Sequence, residues 1–473
     1  MKKTEYKQWI KLQQEAISRS QNDKTLHGKK FVGDRGYLHF DGRVSVKRVD
    51  GSSPDDPLYR LITSSDALAK HSFLPFLRED QRVRKYRDKP PTTADGNARR
   101  HDQQHPTIKN RPIMYASHLD ALVYSLYNST LSRHYEQHVA KRGLEDTAIA
   151  YRPVPIPGSG RNKSNIDFAK ELYEKIKNSH EDVGVLLLDV SGFFDNLQHK
   201  RLYEKWCFIL GEDKLPADHE AVFNNISQFR YVFTKDAYKA LGLNNEALKS
   251  LRLNRRGVLC SPKDFNSKIK KQKLIHKNKS GKGIPQGSPI SGLLANVYMI
   301  DFDTNVKALI EGMGGVYMRY SDDIAILVQP SKLIGVYEAI QSLISNEGLT
   351  ISKKKTDCFI YQQEVGRFIN VISKLDKDNT LNLKRHPQYL GFVLTERGVH
   401  IRGNTLARRF RGGKAFLLKS ERWTYFSLSA RKTGSATIPL QVEAIRKKIK
   451  PIVQKAQDTR TKRNKEQHSE AGS

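Results

Sequence analysis

Cysteine is nearly missing. Only Cys207, Cys260 and Cys358 occur in 473 residues, far apart in sequence. No two have metal-ligand spacing, and an odd, scattered set argues against a disulfide framework. A Cys-rich zinc module is excluded, and a reducing compartment fits. Long apolar runs are missing too; none approaches the roughly 20 residues needed to span a bilayer. The opening "MKKTEYKQWIKLQQEAISRSQ" is basic but lacks the apolar core of a signal peptide. A cytoplasmic protein with no membrane partner is expected. A nucleotide-binding phosphate loop is lacking as well. "PVPIPGSGRNKS" (153–164) tempts that reading, but no Gly directly precedes Lys163-Ser164. It reads as a connector. No internal repeat is apparent.

Acidic residues are outnumbered. Lys and Arg total 82 against 50 Asp and Glu, a net charge of +32. A charge that large implies a polyanionic partner, with nucleic acid the first candidate. Hydrophobic residues make up 38% of the chain, enough for a core. The length suits two or three subdomains.

Periodicity places the elements. An amphipathic helix is predicted around Tyr6 to Ile17, and "GYLHFDGRVSVKRV" alternates like a strand. The polar stretch 89–106 reads as a loop or boundary. Residues 117–139 repeat apolar side chains at helical intervals after a Ser cap. "VGVLLLDV" (183–190) suits a strand buried on both faces. The stretch 235–282 holds 14 Lys and Arg against three acids, and the last 73 residues carry 18 basic and five acidic side chains. Residues 291–310 and 333–349 read as helices, and "VYMRY" and "IAILV" as two strands around a tight turn at Ser321-Asp322-Asp323. The order is strand, helix, hairpin, helix, then more strand-like sequence. The expected class is α+β, a sheet with helices packed against it.

Asp189 ends the buried strand, and Asp322 and Asp323 sit in the hairpin. If strand and hairpin share a sheet, the three acids converge. Two carboxylates about 4 Å apart repel by about 4 kcal/mol at an effective dielectric near 20. Acids favour turns, so an Asp-Asp pair alone could be a turn device. A convergent trio, however, needs protonation or cations. All-oxygen ligands suit Mg²⁺ or Mn²⁺, and two such ions roughly 3.5–4 Å apart can drive phosphoryl chemistry.

These segments together resemble the reverse transcriptases. "RYSDDIAIL" resembles their Tyr-x-Asp-Asp hairpin, and "LLLDVSGFFDNLQH" (186–199) their first catalytic motif. "GKGIPQGSPISGLLANVYM" (281–299) resembles the second motif. "GLTISKKKT" (348–356) resembles Leu-x-x-Asn-x-x-Lys-Thr, with Ser352 in place of Asn. "QYLGFVL" (388–394) resembles the primer-gripping element, and "KNRPI" (109–113) the Lys-x-Arg fingers element. All occur in family order over about residues 100–395.

The resemblance implies a right-hand polymerase with an antiparallel palm sheet. Residues 1–100 would be an N-terminal extension and the start of the fingers, and 101–182 the fingers. The palm would span 183–395, with a basic insert at about 205–282. Residues 396–473 would be a helical basic thumb and tail. It implies Asp189, Asp322 and Asp323 as catalytic acids that hold two Mg²⁺ (or Mn²⁺), with the Val190 backbone carbonyl as a further ligand. Lys109 and Arg111 would hold the nucleotide triphosphate. Phe194 would be the steric gate against a 2′ hydroxyl, with Phe193 in the core; "GFF" could also serve packing alone. Gln286 and Gly287 would start the second-motif helix and contact the nucleotide. Lys355 would face the leaving pyrophosphate, or be part of a plain basic patch. Tyr320 would pack beneath the primer end, and Tyr389, Leu390 and Gly391 would grip the primer.

Within the family the chain is most similar to prokaryotic retron, abortive-infection and "unknown group" enzymes, above all those of phage defence. "AYRPVP" (150–155), "CSPKDF" (260–265) and "GGVYMRYSDD" (314–323) carry that likeness. The 80-odd residues after the primer grip leave little room for a ribonuclease H or integrase domain. The resemblance implies deoxynucleotides as substrates, a structured noncoding RNA as template or scaffold, a DNA product, and a possible homo-oligomer. A retron-type RNA-primed synthase and an RNA-binding protein that keeps only the polymerase shape stand as alternatives.

Overall fold

Val183–Asp189 is buried at all seven positions, and the reason is its place in the middle of a sheet. In the computed structural model, the residues described are 8–11, 36–42, 60–61, 63–85, 107–253, 257–375, 386–403, 405, 432–434, 438 and 443. The strands in chain order are β1 (Phe76–Lys85), β2 (Thr107–Tyr115), β3 (Val183–Asp189), β4 (Arg230–Phe233), β5 (His276–Lys277), β6 (Val316–Tyr320), β7 (Asp323–Val328), β8 (Asp357–Gln362), β9 (Arg367–Asn370), β10 (Gln388–Tyr389), β11 (Phe392–Thr395) and β12 (Gly398–Ile401). The chain forms two units, residues 1–138 with 194–298, and residues 139–193 with 299–473. The class is mixed α+β, as expected.

The second unit is built on a five-stranded sheet in the order β6-β7-β3-β8-β9. Every neighbouring pair in it is antiparallel. Alternation divides β3 between two faces. Val185 and Leu187 join a core with Phe168, Leu172 and Ile176 of the helix Asn165–Lys177. On the other face Gly184 meets the helix Leu333–Asn346; a Cβ there would lie 2.7 Å from Leu333 Cγ. A run with one glycine is therefore matched to a close helix contact. The smaller sheet β10-β11-β12 adds Tyr389, Phe392, Leu394, Val399 and Ile401 to the same core. Residues 398–401 were expected in a helical thumb and instead form β12, because Val399 and Ile401 alternate inward. Ile438 is fully buried in this core, and the Lys432 ammonium pairs with Asp167.

The first unit carries the sheet β2-β1-β4-β5. Leu77 and Val232 on one face pack with Ala237, Leu248, Leu259 and Ile269. The described residues of the basic stretch 235–282 are thus folded, with the short helices Thr234–Leu241 and Asn245–Leu253 among their elements. The helix His118–Lys141 begins beside the expected Ser cap. Ser117 Oγ accepts from the Asp120 N–H at 3.1 Å, and Asp41 accepts from the N–H groups of His118 and Leu119, both at 2.8 Å.

The predicted helix over 291–310 is two helices, Ser291–Tyr298 and Ile300–Glu311, parted at Met299. The predicted N-terminal helix is seen at residues 8–11 only, and "GYLHFDGRVSVKRV" only as far as residue 42; the rest of both, the 89–106 loop and most of the tail lie outside the described residues. Among the described residues no helix is long and apolar enough to cross a membrane.

Candidate active site

The acids meet at one end of the five-stranded sheet. Asp189 closes β3, Asp323 opens β7, and the two are direct cross-strand partners. Tyr320 pairs with Asp323 across the hairpin, so the turn is Ser321-Asp322 alone and Asp323 is already in the ladder. The Asp322 carbonyl accepts from the Val190 N–H at 3.0 Å. Asp189, Val190, Asp322 and Asp323 are therefore drawn together by backbone pairing, before any side-chain contact.

Their electrostatics follow. Burial, and then the charges of Asp322 and Asp189, push the Asp323 carboxyl up to about 7, against the opposing pull of Lys355 and Arg402. The Lys355 ammonium bonds both carboxylate oxygens of Asp189. It is brought there by main-chain joins: Val190 bridges Ile351, and Ser352 N–H donates to the Asp189 carbonyl at 2.8 Å. The Ser352 side chain is not needed for that contact, so the departure from Asn leaves it intact. The resemblance places Lys355 at the pyrophosphate or in a plain basic patch; in this structure its ammonium pairs with Asp189.

Carboxylates and a backbone carbonyl are hard oxygen donors, and in chemistry these residues fit Mg²⁺ or Mn²⁺. Among the described residues no three His, Cys, Asp or Glu side chains are gathered tightly enough to enclose an ion. In this structure the cation at Asp189 is the Lys355 ammonium.

A second layer fixes the turn. Ser321 has φ +61°, unusual for a residue with a side chain. Its carbonyl accepts from Arg319 Nη1 at 3.0 Å, and its Oγ from the Tyr151 hydroxyl at 3.2 Å. Arg319 is fully buried. Its Nε and Nη2 donate to the two carboxylate oxygens of Asp303 at 2.7 and 2.6 Å, and the Tyr317 hydroxyl donates to the same Asp303 at 2.8 Å. Sequence reasoning missed Arg319, Asp303 and Tyr151. The available signal was the Arg in an otherwise apolar strand, "VYMRY".

In the first unit, the expected nucleotide-contacting residues form another group. The Gln286 carbonyl accepts from the Met114 N–H of β2 at 2.8 Å, and the Phe194 carbonyl from the Ile284 N–H at 2.9 Å. Gln286 and Gly287 precede the helix, which begins at Ser291, because Pro285 and Pro289 hold the chain in turns. Phe194 is half-buried, whereas Phe193 is buried. Arg111 is exposed on β2, opposite Gln81; the backbone of Lys109 lies opposite Val83. Gly287 has φ +112°, and a Cβ on it would lie 3.0 Å from the Met114 carbonyl oxygen. Gly287→Ala is expected to cost about 1–3 kcal/mol through this strain. Urea denaturation against wild type would measure it; an unshifted midpoint would contradict it.

Of the residues expected to grip the primer, Tyr389 is buried and ends β10. Leu390 and Gly391 form a two-residue hairpin turn with φ +47° and +91°. The Leu390 carbonyl accepts from Asn165 Nδ2 at 3.3 Å. Tyr320 is half-buried and lies edge-on to Phe168.

Residues 124–394 match the family described as Reverse transcriptase (RNA-dependent DNA polymerase). The chain belongs to that family. It is also similar to the Retron Ec86 reverse transcriptase of Escherichia coli, at 35% identity over 74 residues. That match covers 15% of this chain and 23% of the relative, so the chain spans under a quarter of that protein's length. Among solved structures, apo telomerase from Candida tropicalis, truncated from its C-terminal domain, aligns at 12% identity and a TM-score of 0.36, over 63% of this chain and 53% of that one. Candida tropicalis telomerase in complex with a TWJ fragment of telomeric RNA aligns at 14% and 0.35, over 76% and 54%. The family assignment rests on the sequence match.

Proposed function

We propose that the protein is an RNA-directed DNA polymerase of right-hand form, with the fingers and palm boundaries given above and a thumb that begins after β12. The observation that carries this reading is the pairing of Asp189 with the Asp322-Asp323 hairpin at one sheet end. Divalent ions bound there would activate the primer 3′ hydroxyl and neutralise the departing pyrophosphate. Asp189, Asp322, Asp323 and the Val190 carbonyl hold them, two in number, as Mg²⁺ or Mn²⁺. Lys109 and Arg111 take the triphosphate, Arg111 through its planar fork. Gln286 hydrogen-bonds the nucleotide, and Gly287 lets the backbone come close to it. Lys355, once released from Asp189, can give a proton to pyrophosphate. Tyr389, Leu390 and Gly391 steady the primer.

The template in this reading is a structured noncoding RNA, the product is DNA, and the setting is defence against phage, with a homo-oligomer as a possible form. Support for the setting comes from the "AYRPVP", "CSPKDF" and "GGVYMRYSDD" segments. The test is deoxynucleotide incorporation on RNA with Mg²⁺, by wild type and by Asp322→Ala/Asp323→Ala. Equal background from both would favour the RNA-binding alternative. The 74-residue retron match favours a second reading, RNA-primed synthesis. It predicts DNA covalently joined to the enzyme's own RNA, which nuclease treatment and sequencing would reveal.

Phe194→Ala should relax sugar choice. An aromatic ring at the gate rejects a 2′ hydroxyl by steric clash, and its loss should raise the ribonucleotide share of the product about tenfold or more. Competition assays with both sugars read this directly; an unchanged ratio would defeat the gate assignment.

A further inference from the structure

The four-stranded sheet of the first unit carries a row of rings and a guanidinium on the face opposite its core. Val232 points into the core and is fully buried. Its neighbours Tyr231 and Phe233 are only half-buried and share the other face. Register sets Phe233 beside Arg78 of β1 and Tyr231 beside His276 of β5. The His276 and Tyr231 rings stack at 5.3 Å and 24°, and Phe233 lies edge-on to Tyr231 at 5.5 Å. The Arg78 guanidinium carbon sits 5.2 Å from the Tyr231 ring centre and 4.9 Å from that of Phe233. Asp80 fixes the guanidinium, accepting from Arg78 Nε at 2.8 Å. Phe76, at the start of the row, is closed under Tyr124. At the other end His276 is exposed.

Asp80 is paired with Arg78, and the sequence on both sides of His276 is basic: Lys270, Lys271, Lys273, Lys277 and Lys279 are all exposed. An exposed ring backed by further rings, on a strand whose flanking sequence is basic, suits a strand whose bases are unpaired and whose phosphates need neutralising. A duplex keeps its bases stacked inside and gains nothing from the rings. An acidic peptide would use the lysines and leave the rings idle.

We propose that the row Arg78–Phe233–Tyr231–His276 is a docking platform for a single-stranded segment of RNA, with a base stacked on His276 and phosphates taken by lysines of the segment 270–279. It deepens the polymerase reading, which it relies on only for the RNA being a substrate or scaffold of the enzyme.

The test uses the full chain and a labelled unstructured RNA of about 20 nucleotides, without deoxynucleotides, at fixed salt. His276→Ala and Tyr231→Leu should each weaken binding about tenfold. His276→Trp, which restores a stacking face, should bind as wild type does. His276 is exposed on a two-residue edge strand, so its replacement does not threaten folding. Unchanged affinity in His276→Ala overturns the platform. So does loss of poly-glutamate binding in that variant to the same degree as loss of RNA binding, which would mark a general anion surface. If wild type fails to incorporate nucleotides while His276→Ala still loses RNA binding, the polymerase reading fails and the platform stands.

Discussion

Asp322→Ala/Asp323→Ala should lower nucleotide incorporation by at least about 10³-fold, equivalent to about 4 kcal/mol of transition-state stabilisation. The same change should leave the protein as heat-stable as wild type, or more so, when divalent ions are chelated. Both effects have one cause. Asp323 is held at about 7 by burial and by its neighbours' charges, so without cations the cluster is a source of repulsion in the folded state. Removing the two acids relieves that burial and repulsion and also removes the proposed ion ligands. Thermal melts in chelator and incorporation assays in Mg²⁺ measure the two sides. Lost activity with a markedly lower melting temperature would mean that the acids serve the fold, and would undercut the assignment.

Asp303→Ala is expected to destabilise the protein by about 3–5 kcal/mol, because it strands the Arg319 charge in the interior. Both members of this pair have fully buried side chains. Replacing both, as Asp303→Leu/Arg319→Met, should recover most of that stability, since no unpaired charge remains. Incorporation should nevertheless stay down about 10–100-fold, because the Ser321 carbonyl loses its donor and the acid turn its alignment. Adding Ser321→Gly, which removes the penalty of a positive φ, should restore part of the activity. Chemical denaturation and incorporation kinetics on the same samples separate folding from alignment. A double variant with full activity would show that the turn holds its shape unaided.

The acid site was legible in the sequence to the extent that local pattern controls it. A short apolar run ending in Asp suits a covered strand, and two acids between strand-like segments suit a hairpin end. What escaped was set by long-range packing. Lys355 and Asp189 are 166 residues apart, and their pairing follows from how Ile351 bridges Val190. Arg319 and Asp303 are 16 apart, a spacing that is neither helical nor cross-strand. The 235–282 stretch looked only basic because its apolar residues are dispersed over short helices, each too brief to show a period. Gln286 and Gly287 were assigned to a helix start that the flanking prolines delay until Ser291.

Ser352 grips Asp189 through its amide hydrogen. Nineteen amino acids carry that hydrogen, so the join can survive almost any spelling at this position, with proline the exception. A family likeness scored letter by letter counts Ser352 as a mismatch, although the chain's path preserves the connection.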